Sequence, residues 1–239
     1  MLFNQSLFHI EGWKKKVIHE GKVAMSLTCQ QLFNATENPR INDLTLDLLR
    51  EYYETYLNPY IYKFEIKEEG KDEPQIIEMR FDQENFCHLL GIDKIVARTV
   101  NREFIGEYKA QLGWDNVVNK TITLDLLREK KTKKQFMSRK DKYVFFYLIP
   151  QLIESPKGVS YDIDKVDGDT RIDCEILFYD HLQSAYVHLG IKKDEGLGYF
   201  IPKTFFVERV TPNKDGKKYV ENQTEITVTK LDKLMIEAK

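Results

Sequence analysis

Cysteine is nearly absent from this sequence. Only Cys29, Cys87 and Cys174 occur in 239 residues. Their number is odd and no two have C-x-x-C spacing, so neither a disulfide framework nor a zinc knuckle is expected. Small buried side chains in a reducing cytosol are the natural reading. Long apolar runs are missing too. None approaches the ~20 residues that cross a bilayer. Met1 to Lys16 breaks its apolar positions with Asn, Gln, His and Glu, unlike a signal peptide. The expectation is a cytoplasmic protein with no membrane partner, in which the N-x-T sequons at Asn34, Asn119 and Asn222 are coincidences. Charge of one sign is missing as well: 36 basic residues face 38 acidic ones, a formal net charge of -2. No global field draws in a polyanion, so nucleic acid would need a local patch. Several enzyme signatures do not occur: no G-x-x-x-x-G-K-[ST] loop, no G-x-G-x-x-G after a strand, no G-x-S-x-G elbow and no H-E-x-x-H.

What is present is a folded chain, 42% apolar and 31% charged. Met25 to Ala35 has a partial apolar helical face, ended by Asn38-Pro39. Asp43 reads as an N-cap for a helix to about Tyr56. Tyr60 to Lys67 alternates as a half-buried strand, and Gln75 to Arg80 closes a hairpin across Gly70. Asp82 reads as the cap of a helix over Gln83 to Leu90, with Gly91 at the C′ position. Residues 101–155 read as helical, with Thr123 as a cap and Pro150 kinking or ending the last helix; its apolar centre, Tyr143 to Ile149, fits a buried strand equally well. Five strands follow, at Val159 to Tyr161, Asp173 to Tyr179, Ser184 to Ile191, Tyr199 to Arg209 and Lys218 to Thr229, with short turns that imply an antiparallel meander. The fold class is α+β: a helical block packed on a curved antiparallel sheet. Residues 1–58 form a mostly helical extension, and residues 59–239 the main domain with a helical insert at 101–155.

Five features could carry chemistry. His88 sits at the edge of the apolar face of its short helix, where a neutral imidazole can serve as acid or base. His181 and His188, with Asp180, could hold a metal, but their spacing is no metal signature and no metal site is assigned. Pro202 inside an apolar strand implies an edge or a bulge, which would re-aim Lys203 or Thr204 toward a cleft. Arg171 follows Asp164, Asp167 and Asp169, and could clamp a phosphate or pair with those carboxylates. The one concentrated basic segment comprises Arg128, Lys130, Lys131, Lys133, Lys134, Arg139 and Lys140, continued by Lys142. It would attract a polyanion, or simply be a solvated helix end.

Phe86-Cys-His-Leu-Leu-Gly-Ile-Asp-Lys94 after a hairpin, then a helical insert, then Phe200-Ile-Pro-Lys-Thr-Phe-Phe206, resembles the phage-borne barnase–EndoU–colicin–RelE-like nucleases, specifically their fourth subgroup. The resemblance covers roughly residues 60 to 208. It implies a metal-independent ribonuclease without cofactors, helices on a four-stranded antiparallel sheet, and RNA cleavage by attack of the 2′-hydroxyl on the adjacent phosphate. His88 matches the family's histidine and Thr204 its late Ser/Thr. Arg171 and Lys203 join them on chemical grounds, because a developing phosphorane needs cations. The sequence lacks a second matched histidine, a place for which His181 and His188 are the candidates, and a strongly basic surface. Two functions follow: an endoribonuclease of a phage or other mobile element acting on RNA in a bacterial host, or a non-catalytic protein that binds and inhibits a host defence or regulatory protein. Abundant Tyr and Phe and near-neutral charge suit the second.

Overall fold

Apolar and polar residues alternate over Tyr60–Glu68. In the computed structural model, which describes residues 27–71, 73–168 and 172–236, this stretch is strand β1, with Tyr62, Phe64 and Ile66 buried. Strand β2, Gln75–Arg80, returns antiparallel to it, from Ile61↔Arg80 to Ile66↔Gln75. The hairpin is where the alternation places it, because a period of two needs only one buried face to set its register.

Helix α1, Cys29–Phe33, opens on a capping box between Thr28 and Gln31. Helix α2, Leu46–Tyr56, is capped by Thr45, whose Oγ1 accepts from the Leu48 N–H at 3.0 Å. Asp43 is therefore not the cap. It closes a short 3-10 turn, Ile41–Asp43, and the hydroxyl directly ahead of the buried Leu46 takes the role. Helix α3, Asn85–Leu90, ends at Gly91 in the left-handed conformation (φ 66°) and leads into α4, Ile92–Val96. The insert is a string of short helices: α5 (Ala110–Val118), α6 (Leu124–Leu127), α7 (Lys133–Met137), α8 (Lys140–Val144) and α9 (Ile149–Glu154). Tyr143 to Ile149 is not a strand, and Pro150 does not end a helix. It lies in the first turn of α9, where its missing N–H is not needed.

The remaining strands are β3 (Lys157–Ser160), β4 (Ile176–Leu182), β5 (Ala185–Lys193), β6 (Phe200–Arg209) and β7 (Thr224–Met235). β3, β4, β5 and β6 form the expected antiparallel meander, and the fifth expected strand, β7, departs from it. The sheet is not an open, curved, four-stranded one. It is a closed barrel of order β1-β2-β6-β5-β4-β3-β7, and not wholly antiparallel. β7 leaves β6 and runs along β1, from Tyr60↔Met235 to Glu68↔Ile226, while its other side pairs with β3. The circuit is completed by a parallel contact of β2 and β6 at Met79↔Phe200. Closure removes the exposed edges that the early hairpin and the late meander would each have left.

Inside, Phe64, Met79, Phe178, Leu189, Phe205 and Ile226 pack in one continuous core with helical residues such as Leu49, Tyr53, Phe86, Trp114 and Phe146. Phe146 meets Phe86 edge-on at 5.9 Å and Phe205 at 5.9 Å, so rings run from α3 through the insert to β6. A smaller cluster of Val159, Tyr161, Val166, Cys174, Leu177 and Val220 lies apart from it. Cys29, Cys87 and Cys174 are free and buried. Among the described residues no helix is long and apolar enough to cross a membrane.

Candidate active site

Three local devices converge on one groove. The first is α3 itself. Phe86, Cys87, Leu89 and Leu90 are buried, which leaves His88 as the residue that faces outward. The second is a β-bulge. Gly190 of β5 pairs with Thr204 and Ile191 with Pro202, so Lys203 is the extra residue on β6. β6 is not an edge strand, and Pro202, which has no N–H to donate, sits where the ladder is interrupted. Gly190 permits the arrangement, because a Cβ there would lie 2.6 Å from Thr204 Cγ2 and 2.9 Å from Cys174 Cβ. The third is α8, held against β6 by a two-pronged pair: Arg209 Nε donates to Asp141 Oδ2 at 2.8 Å and Nη2 to Oδ1 at 2.7 Å. The pair is half exposed, so its value lies in geometry more than in energy.

The result is a groove of about 1020 Å³ lined by His88 on one wall, Lys203 and Thr204 on another, and Arg139 and Lys142 beside α8. Lys94 and Lys109 add charge, opposed by Glu84, Asp173 and Asp194 on the rim. This is a local cationic field in a chain with no net one, worth more inside a concave wall than on open surface.

His88 is open to solvent, yet protein surrounds its ring closely enough for burial to lower its pKa below 6.5. Asp93 pulls the other way, Lys142 reinforces the lowering, and the main chain of Lys203 acts on the ring as well. The imidazole is therefore neutral at pH 7. Lys142 donates to the Leu89 carbonyl at 3.2 Å. Its pKa is pushed down to about 8 by burial, with Arg139 adding to the effect. Asp93 is a buried carboxylate behind the groove. Its Oδ2 is 3.5 Å from Lys94 Nζ and 4.0 Å from Lys109 Nζ, and among the described residues its Oδ1 has no hydrogen-bond partner. The arrangement offers a neutral base, a cationic acid of nearly neutral pKa, two further cations and a hydroxyl around one space.

His88, Lys203, Thr204 and Arg139 are thus brought together. Arg171 lies outside the described residues. Arg128, Lys130, Lys131, Lys133, Lys134 and Lys140 do not line the groove: Arg128 bonds Asn42 at 2.6 Å, Lys131 pairs with Glu129 at 3.4 Å, and Lys130, Lys133 and Lys134 are exposed around α7. His188 is no second catalytic histidine. It is sealed and stacked on Phe206 at 4.4 Å, and burial takes its pKa to about 3 against the opposing pull of the Phe206 and Tyr186 main chain. His181 shares its strand face, while Asp180 points to the opposite one and pairs with Lys157 at 3.2 Å. Among the described residues no three His, Cys, Asp or Glu side chains are placed to hold a metal ion. Sequence reasoning missed Lys142 as a site residue, and Lys94, Lys109 and Asp93. For Lys142 the signal was present: a lysine adjoining the most apolar run of the chain is a lysine at risk of burial.

A family model described as phage-Barnase-EndoU-ColicinE5/D-RelE like nuclease4 matches residues 50–234. Comparison with curated proteins and with solved structures gives no match.

Proposed function

The chain belongs to that nuclease-like family, and from this premise we propose that it cleaves RNA at the His88 groove without a metal ion. One observation carries the reading. The family-type histidine on α3 and the Thr204 hydroxyl on the bulged β6 line a single groove together with Lys142, Lys203 and Arg139. His88, neutral at pH 7, takes the proton of a ribose 2′-hydroxyl. The 2′-oxygen then attacks the adjacent phosphorus. A bond from 2′-oxygen to phosphorus forms, the bond to the 5′-oxygen breaks, and Lys142 returns a proton to that leaving oxygen. Arg139, Lys203 and the Thr204 hydroxyl surround the oxygens on which negative charge grows. The products are a 2′,3′-cyclic phosphate and a 5′-hydroxyl.

The test is cleavage of an end-labelled RNA in excess chelator, with the products' ends identified. The pH profile should be a bell, rising through the lowered pKa of His88 and falling near the value of about 8 held by Lys142. His88→Ala should lose roughly 10²- to 10⁴-fold in rate, the usual worth of a positioned base. Full activity in that variant, or products ending in a 3′-hydroxyl, would remove His88 and the 2′-hydroxyl from the mechanism.

A further inference from the structure

The groove holds more cations than one phosphate needs. Arg139, Lys142, Lys203 and Thr204 serve the linkage that is cut, and Lys94 and Lys109 are left over. Both come from the helical side, Lys94 from α4 and Lys109 from the residue directly ahead of α5. Their ammoniums share one anchor. Asp93 Oδ2 lies 3.5 Å from Lys94 Nζ and 4.0 Å from Lys109 Nζ. Because both distances reach the same oxygen, the two ammoniums stand no more than about 7.5 Å apart, 3.5 Å and 4.0 Å laid end to end. A phosphate that accepts from each at about 2.8 Å, through two of its oxygens, spans a gap of that order.

The anchor faces away from the ligand. Asp93 is 4% exposed and does not line the groove, so a bound anion meets the ammoniums and not the carboxylate. The two lysine side chains are themselves half exposed. At 3.5 Å and 4.0 Å their contacts with Asp93 are longer than ordinary hydrogen bonds, which leaves both ammoniums with donors to spare. Lys109 is also fixed through its main chain. Its carbonyl accepts from the Gly113 N–H at 2.7 Å. A Cβ on Gly113 would lie 2.7 Å from the Tyr108 carbonyl carbon and 3.0 Å from Cys87 Sγ, so this turn is pressed onto α3. Two ammoniums against one carboxylate leave a single positive charge, the match for a phosphodiester. Of the carboxylates on the rim, Asp173 accepts from Lys192 at 2.7 Å, and Asp194 accepts from the Gly196 and Leu197 N–H groups at 3.0 Å and 3.1 Å. Glu84 stands at the other end of α3 from Gly91, about 9 Å along the helix axis.

We propose that Lys94 and Lys109, held by Asp93, form a second phosphate subsite, which takes a phosphodiester of the same RNA strand next to the one that is cut. The assignment rests on the RNA reading of the groove for the identity of the strand, and its test includes an arm that needs no cleavage. The probes are trinucleotides with a single ribose, placed so that only one linkage can be cut. The other linkage, on the 5′ or the 3′ side, is either a phosphodiester or its uncharged methylphosphonate. On one side the charged flank should raise kcat/KM roughly ten-fold over the neutral one, the worth of a charge-assisted hydrogen bond. Lys94→Gln and Lys109→Gln should each bring that ratio to about two or less; they are made singly, because loss of both would leave the Asp93 carboxylate buried and unpaired. Lys133→Gln, exposed and outside the groove, should leave the ratio as it is. Calorimetric titration with the all-deoxy trinucleotides should give a charged-over-neutral affinity ratio with the same dependence on the two lysines. A ratio near one on both sides, or one that survives both lysine variants, would overturn the subsite whether or not RNA is cut. Uncut RNA together with a lysine-dependent affinity ratio would keep the subsite and remove the cleavage.

Discussion

An ammonium enclosed beside another cation destabilises the protein that contains it. Lys142 is such a group, with its pKa taken from 10.5 to about 8. A tenfold change in proton affinity corresponds to ~1.36 kcal/mol, so the cost at pH 7 is about 3 kcal/mol. The sign follows from proton counting. Below pH 8 both folded and unfolded chains carry the charge, and the folded one bears the full cost. Between pH 8 and 10.5 the folded chain has already released a proton that the unfolded chain keeps, so this contribution to stability rises with pH. Lys142→Met should therefore raise the unfolding free energy at neutral pH by roughly 1–3 kcal/mol, less whatever the bond to Leu89 supplied. The gain should fade toward pH 10.5. Urea melts at about pH 7 and about pH 10 read this directly. The same variant should lose cleavage, because the proton donor to the leaving oxygen is gone. A residue that weakens the fold and serves the reaction is the signature of a tuned site. A variant both less stable and fully active would show that Lys142 is an ordinary structural lysine.

At the scale of elements, the turn between α3 and α4 sets the groove. Gly91 is left-handed at φ 66°, and a Cβ there would lie 3.2 Å from Arg139 Cδ and 3.5 Å from its Nε. The glycine thus ends α3 just after His88 and leaves room for the guanidinium to lie alongside. Gly91→Ala should cost about 1 kcal/mol in backbone strain, the usual penalty for a residue with a Cβ in that conformation. It should also push Arg139 out of line. Weaker binding of a non-cleavable 2′-deoxy oligonucleotide, beyond what Lys142→Met produces, is the readout. Unaltered binding would mean that Arg139 does not face the phosphate. This turn was legible in the sequence, as was the Tyr60 hairpin, while Pro202 marked an interruption of its strand without deciding between an edge and a bulge. Each depends on residues a few positions apart: a C′ glycine, a period of two, a missing N–H. The convergence of α8 on β6 was not legible. It rests on Arg209 meeting Asp141 and on Phe146 meeting Phe205, contacts between residues some sixty positions apart in sequence that leave no local pattern. For the same reason the basic run misled. Its periodicity cannot say that Arg139 turns into the groove while Lys133 and Lys134 face away from it.

For the molecule as a whole, barrel closure is uneven, and the groove sits at its weakest point. β1 and β7 are joined along most of their lengths, and β5 and β6 nearly so. β2 and β6 touch in parallel at the single pair Met79↔Phe200. Side chains brace the seam: the Tyr199 hydroxyl donates to Asp82 Oδ2 at 2.9 Å, and the Arg80 guanidinium lies 4.4 Å over the Tyr199 ring. The chain after β2 becomes α3 with His88, and β6 beyond Phe200 becomes the bulge with Lys203 and Thr204. Parting the seam would therefore separate the proposed base from the hydroxyl and cation it works with. Because a short ladder holds less free energy than a long one, local opening should begin there. Amide hydrogen exchange should show residues 79–81 and 199–201 exchanging well before the paired amides of β1 and β7. A bound 2′-deoxy oligonucleotide, which spans both walls and cannot be cleaved, should slow exchange at the seam and leave β1 and β7 as they were. If the seam in the free protein is as protected as the β1–β7 ladder, closure is uniform and the groove is rigid without its ligand. The active geometry would then be fixed by the barrel alone, and binding would have no conformational step to select against poor substrates.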